Sequence, residues 1–197
     1  KRNFRFYNEA DKIIFRVNSM NVKTSEFSDL YVLEYNSFKD NRGEFVKTIH
    51  KDTFIENKLE WNFAESFYSV SHKNVFRGMH FQYPPNDHEK LVYVVKGAII
   101  DIVLDLRFDS NTFGKYFTVE LSDKNRKGIY IGKGFAHGFL SLEEDTVVEY
   151  HTSTIQSKEC EGGVKWDSFG FEMAIENLII SQRDDAFSPF DKSIKYF

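Results

Sequence analysis

The feature that most constrains the fold is a succession of short β-type segments separated by turns roughly every 8–12 residues. The clearest segments are 91–95 and 98–106, two aliphatic runs separated by Lys96-Gly97, which predict a β-hairpin. Further strands are predicted at 30–34, 44–49, 63–70, 76–81, 116–121, 128–131, 138–142 and 146–152. No long helical period and no strand–helix alternation is present. The pattern predicts an all-β sandwich or jelly roll and disfavours a parallel α/β fold.

The rest of the chain adds little regular structure to this pattern. Residues 1–19 lack the apolar run of a signal peptide, so we treat them as an N-terminal extension of unknown role. Residues 20–197 are expected to form one domain. Within that domain, 52–59 predicts a short helix capped by Asp52 or Thr53. The C-terminal part predicts loops with one or two short helices.

Composition excludes several classes of protein. Lys plus Arg is 26 against 30 Asp plus Glu, a net charge of −4, which disfavours nucleic acid as a partner. No apolar run reaches the ~20 residues that cross a bilayer, so no membrane partner is expected. A single cysteine, Cys160, excludes an internal disulfide framework and fits a reducing compartment. We therefore expect a cytoplasmic protein.

Two histidines stand out because each lies in an apolar β-type segment. His80 lies in Arg77–Gln82, and His137 lies between two glycines in 134–139. Leaving a buried polar group unpaired costs about 1–3 kcal/mol, so each histidine needs a partner. Either both are hydrogen-bonded core residues, or they line one shared pocket.

Lys90 and Tyr150 each allow two interpretations. Lys90 precedes a very apolar strand, where it could stabilise an oxyanion inside a barrel or protect a strand edge from aggregation. Tyr150 shares a strand face with Val148, so its hydroxyl could donate a proton in a pocket, or its ring could belong to the core.

Metal binding is a competing hypothesis. His80, His88, Glu89 and His137 are ligand types on segments that could converge, as in a metal-dependent cupin enzyme. No tight His-x-His pair supports that arrangement. Cys160 has no identifiable base partner and is interpreted as structural.

A set of separate motifs resembles one family along nearly the whole chain, from about residue 20 to about 189. The motifs are Arg77-Gly-Met-His-Phe-Gln82, Pro84-Pro85 with Lys90-Leu-Val, Asp105-Leu-Arg107, Ser110-x-Thr-Phe-Gly-Lys115, Gly134-Phe-Ala-His-Gly-Phe139, Tyr150, Glu161-Gly-Gly-Val-Lys-Trp-Asp167 and Ser181-Gln-Arg-Asp184. In order and spacing they resemble the dTDP-4-dehydrorhamnose 3,5-epimerases.

That resemblance implies a cupin-type jelly-roll barrel that works as a homodimer without metal or other cofactor. It implies an epimerase acting on a nucleotide-diphospho-4-keto-6-deoxyhexose. His80 matches the family's base, Asp184 the carboxylate that pairs with it, Tyr150 the proton donor and Lys90 the lysine near the C4 oxygen. The matching substrate-binding positions are Arg42, Arg77, Gln82, His137, Glu161 and Arg183.

The chemistry of these residue types agrees with the implied roles. A C–H beside a ketone is acidic only when the enolate is stabilised, and Lys90 would supply positive charge at that oxygen. A histidine with a pKa near 6.5 is a suitable base at neutral pH, and Asp184 would support its imidazolium form. Inversion needs a proton from the opposite face, which Tyr150 could donate. Arginines suit a diphosphate.

The sequence departs from the family pattern on the nucleoside side. Lys47 replaces an acidic residue, 65–67 replaces a Gln-Asp-Asn stretch with Glu65 and Phe67 at its ends, and Ile155 stands where the family has an aromatic residue. The nucleobase, the sugar and the choice of C3, C5 or both therefore stay open. A sugar-nucleotide-binding jelly roll without turnover remains a third hypothesis.

Overall fold

A computed structural model describes residues 20–197; the N-terminal extension predicted for 1–19 lies outside the described residues. In chain order the strands are β1 (Met20–Thr24), β2 (Leu30–Tyr35), β3 (Ser37–Asp40), β4 (Gly43–Val46), β5 (Glu65–Ser71), β6 (Val75–Gln82), β7 (Lys90–Lys96), β8 (Ala98–Asp105), β9 (Tyr116–Ser122), β10 (Lys127–Ile131), β11 (Phe135–Ser141), β12 (Thr146–Thr152), β13 (Glu161–Gly163) and β14 (Ile179–Ile180). The helices are α1 (Lys51–Glu56) and α2 (Gln182–Asp185).

Two six-stranded sheets make up the body of the described chain. The first sheet has the order β1-β2-β10-β7-β12-β5. The second has the order β13-β6-β11-β8-β9, with β14 added beside β6. Apart from the β14–β6 pair, neighbouring strands are antiparallel. The all-β prediction is confirmed.

The apolar side chains of the strands form three layers. Side chains from both sheets meet in the middle, among them Val92, Ile99, Ile129 and Val148. The C-terminal segment covers the outer face of the second sheet, and Phe54 of α1 belongs to the cluster on the outer face of the first. The strands are thus apolar on the faces that they bury, which is the pattern that sequence periodicity detects.

The predicted hairpin between 91–95 and 98–106 is wrong. β7 belongs to the first sheet and β8 to the second, so the chain passes from one sheet to the other at Gly97. Gly97 has a φ of +85°, and a Cβ there would lie 2.5 Å from Oγ1 of Thr146. Glycine supplies the sharp reversal that the sequence indicated, but the strands on either side pair with distant partners.

Of the short helices, the one predicted at 52–59 is confirmed with earlier bounds and a different start. α1 begins at Lys51 and ends at Glu56, and its N-cap residue is His50, which makes no side-chain capping hydrogen bond. The predicted cap at Asp52 or Thr53 is therefore wrong. In α2, the Ser181 hydroxyl accepts a hydrogen bond from the Asp184 N–H and caps the helix. No helix within residues 20–197 has the length and apolar character to cross a membrane.

Candidate active site

Between the two sheets lies a cavity of about 470 Å³. Most of the sequence-predicted site residues line it: Arg77, His80, Gln82, Lys90, His137, Tyr150, Glu161 and Arg183. They come from β6, β7, β11, β12, β13 and α2, so the jelly roll gathers side chains that are distant along the chain. Asp184 lies behind this lining and contacts it through His80.

His80 and Asp184 form a hydrogen-bonded pair. Nε2 of His80 lies 2.8 Å from Oδ1 of Asp184, and the other carboxylate oxygen accepts the Gly78 N–H at 3.1 Å. Burial alone would raise the pKa of the Asp184 carboxyl, but hydrogen bonding and charge from His80 outweigh it and lower that pKa to about 2. Asp184 is thus a fixed carboxylate that orients the imidazole.

The protonation of His80 is also constrained by Arg183. Nη2 of Arg183 lies 2.9 Å from the same Nε2 that faces Asp184. Nε2 serves one neighbour at a time: it donates to Asp184 when it carries hydrogen and accepts from Arg183 when it does not. With hydrogen on Nε2, Nδ1 is the lone-pair nitrogen, and among residues 20–197 it has no hydrogen-bond partner. Nδ1 is therefore the atom available to take a proton.

Lys90 is the first residue of β7, a strand with neighbours on both sides in the first sheet. The interpretation as a strand-edge lysine is therefore wrong, and Lys90 lines the cavity instead. Burial lowers the pKa of its ammonium group to about 8, while the negative charge of Asp101 acts in the opposite direction. Lys90 is mostly charged at neutral pH, in a place where its charge is weakly screened.

His137 is held by a buried carboxylate that the sequence interpretation did not include in the site. Nε2 of His137 lies 2.8 Å from Oδ2 of Asp101, and neither side chain is more than 4% exposed. Burial lowers the pKa of His137 against the opposing charge of Asp101. Oδ1 of Asp101 has no hydrogen-bond partner among the described residues. This buried carboxylate places negative charge directly behind the part of the cavity wall that His137 forms.

Tyr150 is held by two residues of β5. Its hydroxyl lies 3.1 Å from Oγ of Ser69, and its ring stacks on Phe67 with centroids 4.9 Å apart at an interplanar angle of 15°. Burial raises the pKa of the Tyr150 phenol, which therefore keeps its proton at neutral pH. A protonated phenol in the cavity wall is able to donate a proton.

Three of the remaining predicted residues lie at the cavity rim. Arg77 donates from Nε to Ser71 Oγ at 3.0 Å and from Nη2 to the Val70 carbonyl at 3.2 Å. Glu161 accepts a hydrogen bond from Gln156 and lies 3.5 Å from Arg183. Arg77 and Arg183 both line the cavity, so their guanidinium groups place positive charge on its wall.

Gln82 lines the cavity and uses its amide group mainly in hydrogen bonds to backbone atoms, with a further contact of 3.1 Å from its Nε2 to Nδ1 of His88. Its amide group donates to the Asn86 carbonyl at 2.7 Å, and its carbonyl accepts the Ser157 N–H at 2.6 Å. The side chain thus ties the 83–89 loop to the segment after β12. It supports the wall from which Lys90 projects.

Arg42 does not lie among the residues that line the cavity. It sits in the turn between β3 and β4, exposed, and forms an ion pair with Asp40 at 2.5 Å. Its predicted contact with substrate therefore rests on the resemblance of the motif alone.

The four candidate metal ligands do not converge. Within residues 20–197, the group of three ligand atoms lying within 4.8 Å of one another comes from His72, Glu144 and Asp145, all exposed and outside the cavity. Burial and the nearby charge of Lys90 lower the pKa of His88 to about 3. Glu89 is hydrogen-bonded to Ser153. The geometry gives no support to a metal site built on His80, His88, Glu89 and His137.

The sequence interpretation missed two contacts of the site, that of Asp101 with His137 and those of Phe67 and Ser69 with Tyr150. Asp101 lies among aliphatic residues of β8, a strand that ends at Asp105, and a carboxylate in such a setting is a signal that a buried partner exists. Phe67 and Ser69 lie two residues apart on β5, so the period-2 pattern placed them on one face without showing what they contact. Only the pairing of β5 with β12 brings them to Tyr150.

The fold and the site together define a jelly roll of the cupin type whose inter-sheet cavity holds a histidine–aspartate pair, a lysine and a tyrosine. The dTDP-4-dehydrorhamnose 3,5-epimerase family model matches residues 24–192. A curated dTDP-4-dehydrorhamnose 3,5-epimerase of Methanothermobacter thermautotrophicus is 37% identical over 180 residues, 89% of this chain and 96% of that protein. The chain therefore belongs to the dTDP-4-dehydrorhamnose 3,5-epimerase family, as its motifs predicted.

Solved structures agree with this assignment. The dTDP-4-dehydrorhamnose 3,5-epimerase of Elizabethkingia anophelis superposes with a TM-score of 0.83 at 34% identity, covering 91% of this chain and 100% of that one. The dTDP-6-deoxy-D-glucose-3,5-epimerase of Legionella pneumophila, in complex with dTDP-4-keto-L-rhamnose, gives 0.82 at 28% identity and covers 86% and 92%. The cupin-type jelly-roll prediction is confirmed.

Proposed function

We propose that this protein is an epimerase that inverts C3, C5 or both in a nucleotide-diphospho-4-keto-6-deoxyhexose, by proton transfer through an enolate. The observation that carries the proposal is that His80, with its Asp184 partner, and Tyr150 line one cavity together with Lys90. Family membership supports the substrate class.

Every proton that is removed or donated in this reaction comes from or goes to a side chain, the substrate or solvent, without any cofactor. His80 takes the proton from a carbon beside the C4 ketone, and the C–H electron pair moves to form the enolate with its charge on the C4 oxygen. Lys90 stabilises that charge in a site shielded from water. Tyr150 then donates its proton to the same carbon from the opposite face, which inverts the configuration. His80 releases its proton and the phenolate regains one from solvent.

The charged groups on the cavity wall suit the rest of such a substrate. Arg77 and Arg183 offer guanidinium groups to a diphosphate, which they bind by charge-assisted hydrogen bonds. His137, with its lowered pKa and Asp101 behind it, offers a ring nitrogen to a sugar hydroxyl. These assignments extend the roles that the family resemblance implies for the same residues, and they stay predictions.

The nucleobase and the assembly state belong to the same proposal. Glu65 and Phe67 line the cavity where the family pattern is not kept, so a base other than thymine is compatible with the chain. We also propose a cytoplasmic homodimer: β5 has one hydrogen-bonded neighbour among the described residues, and its open edge could pair with a second copy. Sedimentation of the purified protein tests the dimer.

The activity test is incubation in D₂O with dTDP-, CDP- and GDP-linked 4-keto-6-deoxyhexoses, followed by NMR. We expect deuterium at C3, C5 or both, with inversion, for at least one nucleotide. The matched control is His80→Ala, which should abolish incorporation while the protein stays folded. Absence of deuterium with all three nucleotides would refute the proposal, and stoichiometric Fe, Mn or Zn required for turnover would replace it with the metal-dependent alternative.

A further inference from the structure

Phe67 is placed directly against the proposed proton donor. Phe67 and Tyr150 are register partners across the β5–β12 pair, and their rings lie face to face, 4.9 Å apart at 15°. Tyr150 is 7% exposed, whereas Phe67 is 46% exposed and forms part of the cavity lining. Both rings line the cavity, and Phe67 is the more exposed ring of the stacked pair.

The other ring and hydrogen-bond contacts of Tyr150 constrain its ring plane less directly than the Phe67 stack does. Ser69 fixes the hydroxyl at 3.1 Å, but a hydrogen bond at the tip of a phenol leaves the ring free to tilt about it. The ring centroids of Phe139 and Tyr150 are 6.5 Å apart and the ring planes form an angle of 42°, so this contact is looser than the Phe67 stack. Tyr150 also packs in the central core cluster, but the Phe67 stack is the closest face-to-face ring contact that it makes among the described residues.

We propose that Phe67 is a positioning residue that aims the Tyr150 phenol at the enolate carbon, so that a proton is delivered from the face opposite His80. The inference rests on the proposed epimerase function. Within the proton transfers, Phe67 would act on the acid half, because its ring stacks on Tyr150 of the first sheet, whereas His80 belongs to the second sheet and pairs with Asp184.

The two halves of the reaction can be measured separately in D₂O. His80 removes the proton and can return a deuteron to the same face, which gives exchange with retention. Inversion requires the deuteron to come from Tyr150. Loss of the stack should therefore lower inversion while exchange continues, whereas general damage to the cavity should lower both.

The experiment measures both rates by NMR for Phe67→Ala, with a dTDP-linked 4-keto-6-deoxyhexose or whichever nucleotide the wild type accepts. Tyr150→Phe is the reference for a lost donor. Phe67→Tyr keeps an aromatic ring and should restore the wild-type ratio. The matched control is Tyr68→Ala, because Tyr68 is the next residue on β5, is 67% exposed and lies outside the cavity lining.

We expect the ratio of inversion to exchange to fall about tenfold in Phe67→Ala, a size that corresponds to loss of one aromatic stack. The same ratio should stay unchanged in Tyr68→Ala. A ratio in Phe67→Ala equal to that of the wild type overturns the proposal. A parallel fall of both rates also overturns it, and the thermal unfolding midpoint of the variant then tells whether the loss came from instability.

Failure of this proposal is distinct from failure of the proposed function. If the wild type exchanges and inverts, and Phe67→Ala shows the same ratio of inversion to exchange, the epimerase assignment is retained and the positioning role of Phe67 is refuted. If the wild type shows no exchange with any nucleotide, both fall. A substrate-free readout checks the stack itself: the ring resonances of Tyr150, assigned by their loss in Tyr150→Phe, should move in Phe67→Ala and stay in place in Tyr68→Ala.

Discussion

Replacing Asp184 with Asn removes the buried charge on which the His80 pair depends, with little change in shape. The carboxylate accepts from the Gly78 N–H and faces Nε2 of His80 and Nε of Arg183, and its side chain is 5% exposed. Its pKa, lowered from 3.8 to about 2, corresponds to about 2 kcal/mol of stabilisation at neutral pH once screening by solvent around its partners is allowed for. Asp184→Asn should lose that pH-dependent contribution.

The sign of the pH dependence follows from the direction of the shift. Because the folded pKa lies below the unfolded one, the stabilisation is complete above the unfolded pKa and disappears as pH falls through the folded pKa. Urea unfolding of wild type and Asp184→Asn should therefore differ most at pH values of about 5–7, and by linkage the difference should shrink by about half near pH 3. A difference that stays constant across that whole range would refute the assignment.

The same substitution tests the support that Asp184 gives to the base. Without the carboxylate, the imidazolium of His80 loses its counter-charge and Arg183 is left beside the same nitrogen. We expect kcat to fall by about 10²–10⁴-fold, the usual contribution of a general base. Asp185→Asn is the matched control, because Asp185 is adjacent in α2 and exposed. Equal loss in both variants would mean that the effect is one of helix stability.

Three further predictions concern Lys90, Asp101 and Gly97. If the enolate needs the charge of Lys90, kcat should fall as pH rises through about 8, where the ammonium group loses its proton. A pH profile of kcat without this alkaline decrease, or limb, would contradict the role of Lys90. Asp101→Asn should move that limb to lower pH, because the negative charge that holds the Lys90 pKa up is removed; a limb at an unchanged pH would exclude this coupling. Gly97→Ala should lower the free energy of unfolding by about 1–3 kcal/mol, because φ is +85° and the new Cβ would clash with Thr146. Chemical denaturation measures this, and an unchanged midpoint would show that the turn relaxes at no cost.

The elements that the sequence predicts best are those whose burial follows a period of two. The strand predicted at 146–152 has those bounds in the structure, and its alternate residues are buried as the apolar pattern requires. The motifs that contain the candidate site residues are also sufficient to assign the chain to its family, because several of them occur together in the same order. Local periodicity and motif spacing are properties of the chain itself, so they can be detected without any knowledge of tertiary contacts.

The same patterns do not predict which strands pair when they are far apart in the chain. Lys96-Gly97 indicates a chain reversal, but a reversal within one sheet and a passage between two sheets use the same residues. The position of Lys90 is ambiguous in the sequence for a related reason, since a strand is central or at an edge only through its distant partners. The contacts that β5 makes with Tyr150 likewise depend on a pairing between strands that are far apart in the chain, as the 81-residue separation of Ser69 and Tyr150 shows.

In the proposed reaction, two residues in one cavity act on opposite faces of the same carbon. Single-turnover NMR in D₂O on His80→Ala and Tyr150→Phe, side by side, separates their roles. We expect that His80→Ala neither exchanges nor inverts, while Tyr150→Phe exchanges hydrogen for deuterium with retained configuration. Inversion by Tyr150→Phe at the wild-type rate, or undiminished exchange by His80→Ala, would contradict it.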